Sequence, residues 1–195
     1  SGAQLMTYLY NKPFNIFDTM YAVLHTTPRT YQCIDSTGLS FENWKMTVDS
    51  LKGIQNGKAN YYSCFRDRTF NPSALLFTGK VYVLVNSDVH SAALVTATLL
   101  EYYTPATFIG TPISGPYNVG NAIDFPTLTF PHSKLEVVIP LIHYSCSVPD
   151  NLYPFKKGIK TDIIINTGIT DRIQHHDSVM DSVLNIIRKS PGIVN

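Results

Sequence analysis

"GKVYVLVNSDVHSAALVTATLLEYY", residues 79–103, joins an apolar run of strand length to an apolar run of helix length through a short polar joint. "KVYVLVN" is almost continuously apolar, the pattern of a strand buried on both faces. "SDVH" reads as the turn. "SAALVTATLLEYY" reads as a helix that is apolar nearly all round and therefore buried. "TPATFIGTP" then returns as a short strand between Pro105 and Pro112. A strand, a helix and a strand in that order form a β-α-β unit with parallel strands and a right-handed crossover. The class that follows is α/β.

Working outward, residues 3–10, "AQLMTYLY", fit a short helix with Leu5, Met6 and Leu9 on one side. "FNIFDTMYAVLH" is aromatic and β-branched enough for a strand. From Ser36 to Gln55, Trp44, Met46, Val48 and Leu51 recur at helical spacing, with Gly53 and Gly57 near the end. Residues 36–57 are thus expected to be a helical surface insertion. Downstream, "ISGPYNVGN" reads as a glycine-rich loop, and "FPTLTFPHSKLEVVIPLIHYS" as an antiparallel hairpin turning at "PHSK". "TDIIINT" is a further strand of the buried type. "DSVMDSVLNIIRKS" closes the pattern as an amphipathic helix with Val179, Val183, Ile186 and Ile187 in one stripe. Asp177 is its expected N-cap, and Pro191 and Gly192 lie beyond its end. One domain over residues 1–195 is expected.

The 195 residues carry a formal charge of +1 and no Lys/Arg cluster, which argues against a nucleic-acid surface. Charged residues make up 15% of the chain, against about 25% in a typical soluble domain. Some surface is therefore expected to be covered by more of the same protein, by a partner, or by a second copy. No apolar run reaches the roughly 18 residues that would cross a bilayer. The N-terminus lacks the basic region and cleavage site of a signal peptide. Cys33, Cys64 and Cys146 have no CxxC spacing; they support neither a zinc site nor a disulfide framework, though one disulfide is possible. No metal and no cofactor is implied.

The polar joint raises a chemical question. A serine hydroxyl becomes a useful nucleophile when a base takes its proton and something stabilises the oxyanion that forms. The first N–H groups of a helix are unpaired and sit at its positive end. Ser91 stands at such a position, and the Ala92 N–H can point at an oxygen bound over it. The simpler explanation is capping, since serine is among the preferred N-cap residues and Ser87 or Ser91 could serve. Asp88 either orients a group near Ser91 or only shapes the turn.

From Gly79 onward the chain resembles the tail-specific, or C-terminal processing, serine peptidases, a family that includes the tricorn protease core. "VYVLVNSDVHSAA" matches the family's strand, turn, nucleophilic serine and small residues, with the nucleophile at Ser91. "FIGTPISG", residues 108–115, matches its "IGxPxxG" element. "FPTLTFPHSKLEVVIP" matches its hairpin, "GIKTDIIINT" its "GIxPDI" strand, and "HDSVMDSVLNIIRK" its closing helix. The five elements cover residues 79–189 in the family's order. The resemblance implies a crotonase-like β-α peptidase core with an attached antiparallel hairpin, of which this chain is the C-terminal portion. The family's N-terminal half lies outside it. The fragment is thus expected to belong to a larger enzyme.

Departures fall where the family's chemistry lies. The dyad lysine of the Ser–Lys members maps to Pro116, which has no proton-accepting group. Ser114, Tyr117 and Asn118 in the same loop cannot replace a low-pKa amine. The tricorn-like members use a histidine from an N-terminal segment, and a glutamate shortly before the "GIxPD" strand. Here "NLYPFKKGI" has no carboxylate nearer than Asp150. Leu94 replaces the glutamate of the family's "SAAE". The second oxyanion donor comes from a glycine-rich turn before the first helix; Gly2 could be its last glycine, or the donor lies upstream of Ser1.

The remaining polar groups read as structural. His90 adjoins Ser91, but neighbours at a turn point apart, which makes it a poor base. "QHHD", residues 174–177, lacks a third metal ligand, and capping by Asp177 accounts for it better. His25, His132 and His143 lie on strand or hairpin segments and are expected to be structural. The many Tyr and Phe residues are expected to pack the core.

Two functions follow. The first is a serine peptidase that binds an extended peptide by strand addition and cleaves it through an acyl-enzyme on Ser91, its base coming from the N-terminal half. The second is a non-catalytic relative that binds a peptide or apolar ligand, as the retinoid-binding repeats of the interphotoreceptor protein do. The resemblance also implies an exported protein, periplasmic, envelope-associated or secreted. Oligomerisation is compatible with either function.

Overall fold

A computed structural model describes residues 2–23, 51–55, 58–61, 68–122, 125, 127–130, 132–138, 140, 142–149 and 158–189. In chain order the elements are α1 (Gly2–Leu9), β1 (Phe14–Asn15), β2 (Phe17–Val23), β3 (Leu51–Gln55), β4 (Lys58–Tyr61), β5 (Thr69–Phe70), β6 (Tyr82–Val85) and α2 (Ser91–Tyr103). They continue as β7 (Thr107–Gly110), β8 (Val119–Ala122), β9 (Thr127–Thr129), β10 (Glu136–Val138), β11 (Ile142–Cys146), β12 (Ile163–Ile164), α3 (Ile169–Ile173) and α4 (Ser178–Lys189). The chain is mixed α/β. The chain falls into two compact units. One comprises Ser1–Lys12, Pro72–Tyr117 and Pro149–Asn195; the other comprises Pro13–Asn71 and Asn118–Val148.

The first unit holds the β-α-β element. β6 pairs in parallel with β7, register Leu84↔Ile109, and β12 adds in parallel on the other side of β7. Asp162 locks that second pairing. Its carboxylate accepts the Phe108 N–H at 2.7 Å, and its own N–H donates to the Phe108 carbonyl at 2.8 Å. Phe108 and Ile109 on the central strand are fully buried, with Met6 from α1, Leu99 from α2 and Ile159. β6, expected to be buried on both faces, is an edge strand of this sheet, and Leu84 stays 37% exposed. Ile164 of β12, the other edge, is 63% exposed for the same reason.

α1 packs on α2. Its buried face is Ala3, Met6 and Thr7, an i, i+3, i+4 stripe, whereas Leu5 is 48% exposed. α2 buries Leu94, Ala97, Thr98, Leu99 and Leu100 and leaves its first turn in solvent, so it is less enclosed than its composition suggests. The Thr98 hydroxyl is fully buried and donates to the Tyr117 carbonyl. α4 rests on β6 and β7 with Val183 buried, the centre of the expected stripe. Asp177 caps it as expected, accepting the Met180 N–H at 2.9 Å. The five-residue α3 between strand and helix has no counterpart in the sequence reading.

The second unit is antiparallel. Its five-stranded sheet runs β3-β4-β2-β11-β8. β11, read from sequence as the hairpin's return strand, instead lies between β2 and β8, with Tyr144 opposite Met20 and Gly120. Its alternating burial puts Ile142, Tyr144 and Cys146 inward. The hairpin itself is β9 with β10, register Leu128↔Val137. Val119, Gly120 and Asn121, read as loop, belong to strand β8. Leu51–Gln55 is also strand, which corrects the described part of the helical insertion expected over 36–57; residues 36–50 and 56–57 lie outside the described residues. β3 pairs with β4 so that Gln55 faces Lys58. Only Asn56 and Gly57 separate them, and Asn-Gly is a strong hairpin dipeptide. Among the described residues no helix is long and apolar enough to cross a membrane. Cys146 is a buried free thiol, and burial pushes its pKa up to about 12. Cys33 and Cys64 lie outside the described residues.

Gly110 ends β7 with φ +127°, and a Cβ there would run into the Val85 carbonyl, a backbone atom that cannot step aside. Gly115 has φ +94° but open space around the missing Cβ. Gly110→Ala should therefore lower unfolding free energy by about 2–4 kcal/mol, and Gly115→Ala by only about 1–2 kcal/mol. Urea denaturation of the two variants measures the difference. Cys146, held as the neutral thiol, should resist alkylation at mildly alkaline pH in the native protein and react after unfolding, as peptide mapping by mass spectrometry will read.

Candidate active site at the strand–helix joint

β6 delivers the chain to the carboxyl edge of the parallel sheet, the edge where open α/β sheets bind ligands. The turn after it is built from its own side chains. Asn86 Oδ1 accepts the Asp88 N–H at 3.0 Å, and the Asn86 carbonyl accepts the Val89 N–H at 3.4 Å. Ser87 leans on the Asp88 carboxylate at 3.4 Å. Asn86 thus shapes the turn, and the Asp88 carboxylate is exposed beside Ser87. The N-cap of α2 is His90, extended at φ −134°, ψ 167°, and its side chain makes no capping bond. Its carbonyl accepts the Ala93 and Leu94 N–H groups at 3.2 and 3.4 Å. His90 is exposed, as expected for a turn histidine.

Ser91 follows with φ +53°. A left-handed backbone is uncommon for serine and is strained by about 1–2 kcal/mol. A capping serine would instead have an extended backbone and bond a first-turn N–H. Ser91 is exposed, and among the described residues its hydroxyl has no hydrogen-bond partner. The Ala92 N–H also has no acceptor among the described residues, so a donor and a hydroxyl stand side by side at the positive end of a 13-residue helix.

The loop from Thr111 to Tyr117 leaves the sheet at the same edge. The Thr111 N–H donates to the carbonyl of Val85, the last residue of β6, at 3.2 Å. Pro116 therefore belongs to a loop that starts beside the joint. Leu94 is 8% exposed and contributes to the core. Gly2 packs against Thr96 of α2, where a Cβ would overlap the threonine hydroxyl; that hydroxyl in turn donates to the Ala92 carbonyl at 2.8 Å. The geometry gives Gly2 a close-packing role between α1 and α2. Asp150 lies outside the described residues.

A cavity of about 680 Å³ opens at the opposite, amino edge of the sheet, lined by Lys80, Val81, Tyr82, Thr104, Thr107 and Ile163 among others. It does not include Ser91. Of the histidines expected to be structural, His143 has packing and hydrogen-bond partners. His143 shares a 3.0 Å hydrogen bond with Asn121 and lies 5.0 Å from the Tyr21 ring. His132 is exposed in the β9–β10 turn, and His25 lies outside the described residues. No group of three or more metal-ligating side chains occurs among the described residues.

No family model matches the chain, and no curated protein does. Solved structures do. A candidate peptidase from Parabacteroides merdae ATCC 43184 matches with TM-score 0.50 at 13% identity, covering 98% of this chain and 48% of that one. A serine-to-alanine mutant of CPAF matches with TM-score 0.51 at 13% identity, covering 99% and 41%. Mature CPAF complexed with lactacystin matches with TM-score 0.54 at 14% identity, covering 96% and 41%. At these identities the likeness shows the fold: this is a peptidase-like mixed α/β architecture. The chain spans less than half the length of these solved chains.

The left-handed backbone at Ser91 separates a strained turn from a cap. Ser91→Gly should raise the melting temperature, because relief of about 1–2 kcal/mol of strain outweighs the roughly 0.5–1 kcal/mol that glycine costs in a helix, whereas a capping serine would lose a few tenths. Differential scanning fluorimetry on the two proteins decides the sign.

Proposed function

We propose that this chain carries the nucleophile of a serine-type peptidase. Ser91 Oγ attacks the carbonyl carbon of a peptide bond, and its proton passes to a base outside the described residues. The oxyanion that forms takes a hydrogen bond from the Ala92 N–H. The C–N bond then breaks as the base returns the proton to the leaving amine, and water attacks the acyl-enzyme to release the second product. An extended substrate pairs with the sheet by strand addition. The single observation that carries the reading is the left-handed backbone of Ser91 on the strand–helix joint, beside an N–H that has no acceptor among the described residues. The peptidase-like fold supports it, and so does the family resemblance of residues 79–189. The same reading makes the protein an exported one and makes the rest of the polypeptide, most simply through a histidine, the source of the base.

A non-catalytic relative that binds an extended peptide or an apolar ligand is the second reading. Pro116 and the buried Leu94 favour it, since neither can move a proton.

A fluorophosphonate probe on the intact protein distinguishes the two. Labelling should map to Ser91, vanish in Ser91→Ala and persist in Ser87→Ala. A folded protein that stays unlabelled while a control serine peptidase reacts, yet still binds peptide, speaks for the binder.

A further inference from the structure

The short α3 and the long α4 meet at residues 174–177 of the first unit, and the corner is more ordered than "QHHD" suggests. His175 has φ +52°, the left-handed conformation that usually calls for glycine after a helix. The His175 N–H donates to the Arg172 carbonyl at 3.3 Å, and the His176 N–H to the Asp171 carbonyl at 2.8 Å. That pair of bonds is a Schellman ending for α3, with His176 held as the residue after the left-handed one.

The imidazole of His176 is thereby aimed between two carboxylates. Nε2 lies 2.7 Å from Asp181 Oδ2 in the first turn of α4, and Nδ1 lies 3.4 Å from Asp171 Oδ1 in α3. The other Asp171 oxygen accepts the Gly168 N–H at 2.9 Å at the start of α3. Asp177, the third carboxylate of the corner, is occupied by the Met180 N–H. A neutral imidazole has one N–H and one lone pair, so it can donate to one of these partners and must turn a lone pair on the other. Only the imidazolium satisfies both.

We propose that His176, as an imidazolium held between Asp171 and Asp181, is a proton-operated clasp that joins α3 to α4. The contact to Asp181 is the shorter, so a neutral ring keeps its N–H there and turns its lone pair on Asp171; loss of the proton frees the α3 side. The later turns of α4 stay on the sheet through Val183. The clasp therefore governs α3 and its hinge with α4. Asp171 and then Asp181 raise the histidine above its ordinary value of 6.5. A raised histidine contributes its stability in full below the unfolded value and loses it as pH rises through the folded one. Asp171 is lowered by the Gly168 N–H and then by His176, so its share is lost only as pH falls through its own folded value. The clasp is closed in the window between.

The test is an NMR titration of the His176 ring in the whole chain. Amide hydrogen exchange over residues 168–181 is measured alongside it at about pH 5.5 and about pH 8.5, corrected for intrinsic rates. The midpoint should lie above 6.5 and fall in Asp181→Asn. Protection of the Gly168 and His176 amides should drop about two- to fivefold across the titration, and His176→Gln should remove that pH dependence. Both side chains are exposed, so the variants fold, and far-ultraviolet circular dichroism verifies it. A midpoint at or below 6.5, a midpoint indifferent to Asp181, or protection that does not change with pH would each overturn the clasp.

Discussion

The carbonyl of Val85 is the point on which the first unit turns. It accepts the Thr111 N–H, and it lies so near the Cα of Gly110 that no side chain fits between them. The ends of β6 and β7 are thereby brought together at one place on the carboxyl edge. From that place one strand leads into the Asn86–His90 turn and the other into the Thr111–Tyr117 loop. Were the residue at 110 larger, the strands would part or slip, and α2 would no longer begin where it does. A close approach of two backbones thus decides where Ser91 stands.

The β-α-β unit was legible because each piece has one dominant physical signal. A four-residue apolar strand, a helix with Leu94, Ala97, Thr98, Leu99 and Leu100 on its inner side, and a second strand ending in glycine leave few arrangements open. How much of each was buried was not legible. "VYVLV" has the composition of a central strand and sits at an edge, because apolarity reports what can be covered and not what is. The antiparallel unit was read less well. "LIHYS" follows the β9–β10 hairpin so directly that it reads as part of it, yet β11 pairs with β8 on one side and, on the other, with β2, more than a hundred residues back. Strand pairing of that kind is non-local, and no spacing within the segment encodes it. For Leu51–Gln55 a local signal existed, and the apolar spacing upstream outweighed Asn56-Gly57.

At the candidate site the sequence supplied residue types and the structure supplied conformations. Serine before two alanines was visible; that its backbone is left-handed, and that His90 takes the capping position, was not. Asp162 reads as part of a strand pattern, although it ties β12 to the central strand through both its carboxylate and its N–H. The even spacing of Asp171, His176 and Asp181 could have been noticed. Its meaning depends on a left-handed His175, which nothing in "QHHD" announces.

A serine that only ends a helix has no reason to be strained. Capping rewards an extended backbone with a bond from hydroxyl to first-turn N–H, and this chain gives the extended backbone to His90. Ser91 makes no such bond among the described residues, so its conformation is not compensated by capping. What the left-handed turn does accomplish is placement: it holds the hydroxyl at the positive helix end while the chain is still leaving the sheet. Strain that persists without a local return is held by its surroundings, here by a helix whose buried face begins at Leu94 and a strand whose last carbonyl is already bonded. Leu94 is spent on the core and Pro116 has no proton-accepting group, so neither position moves a proton.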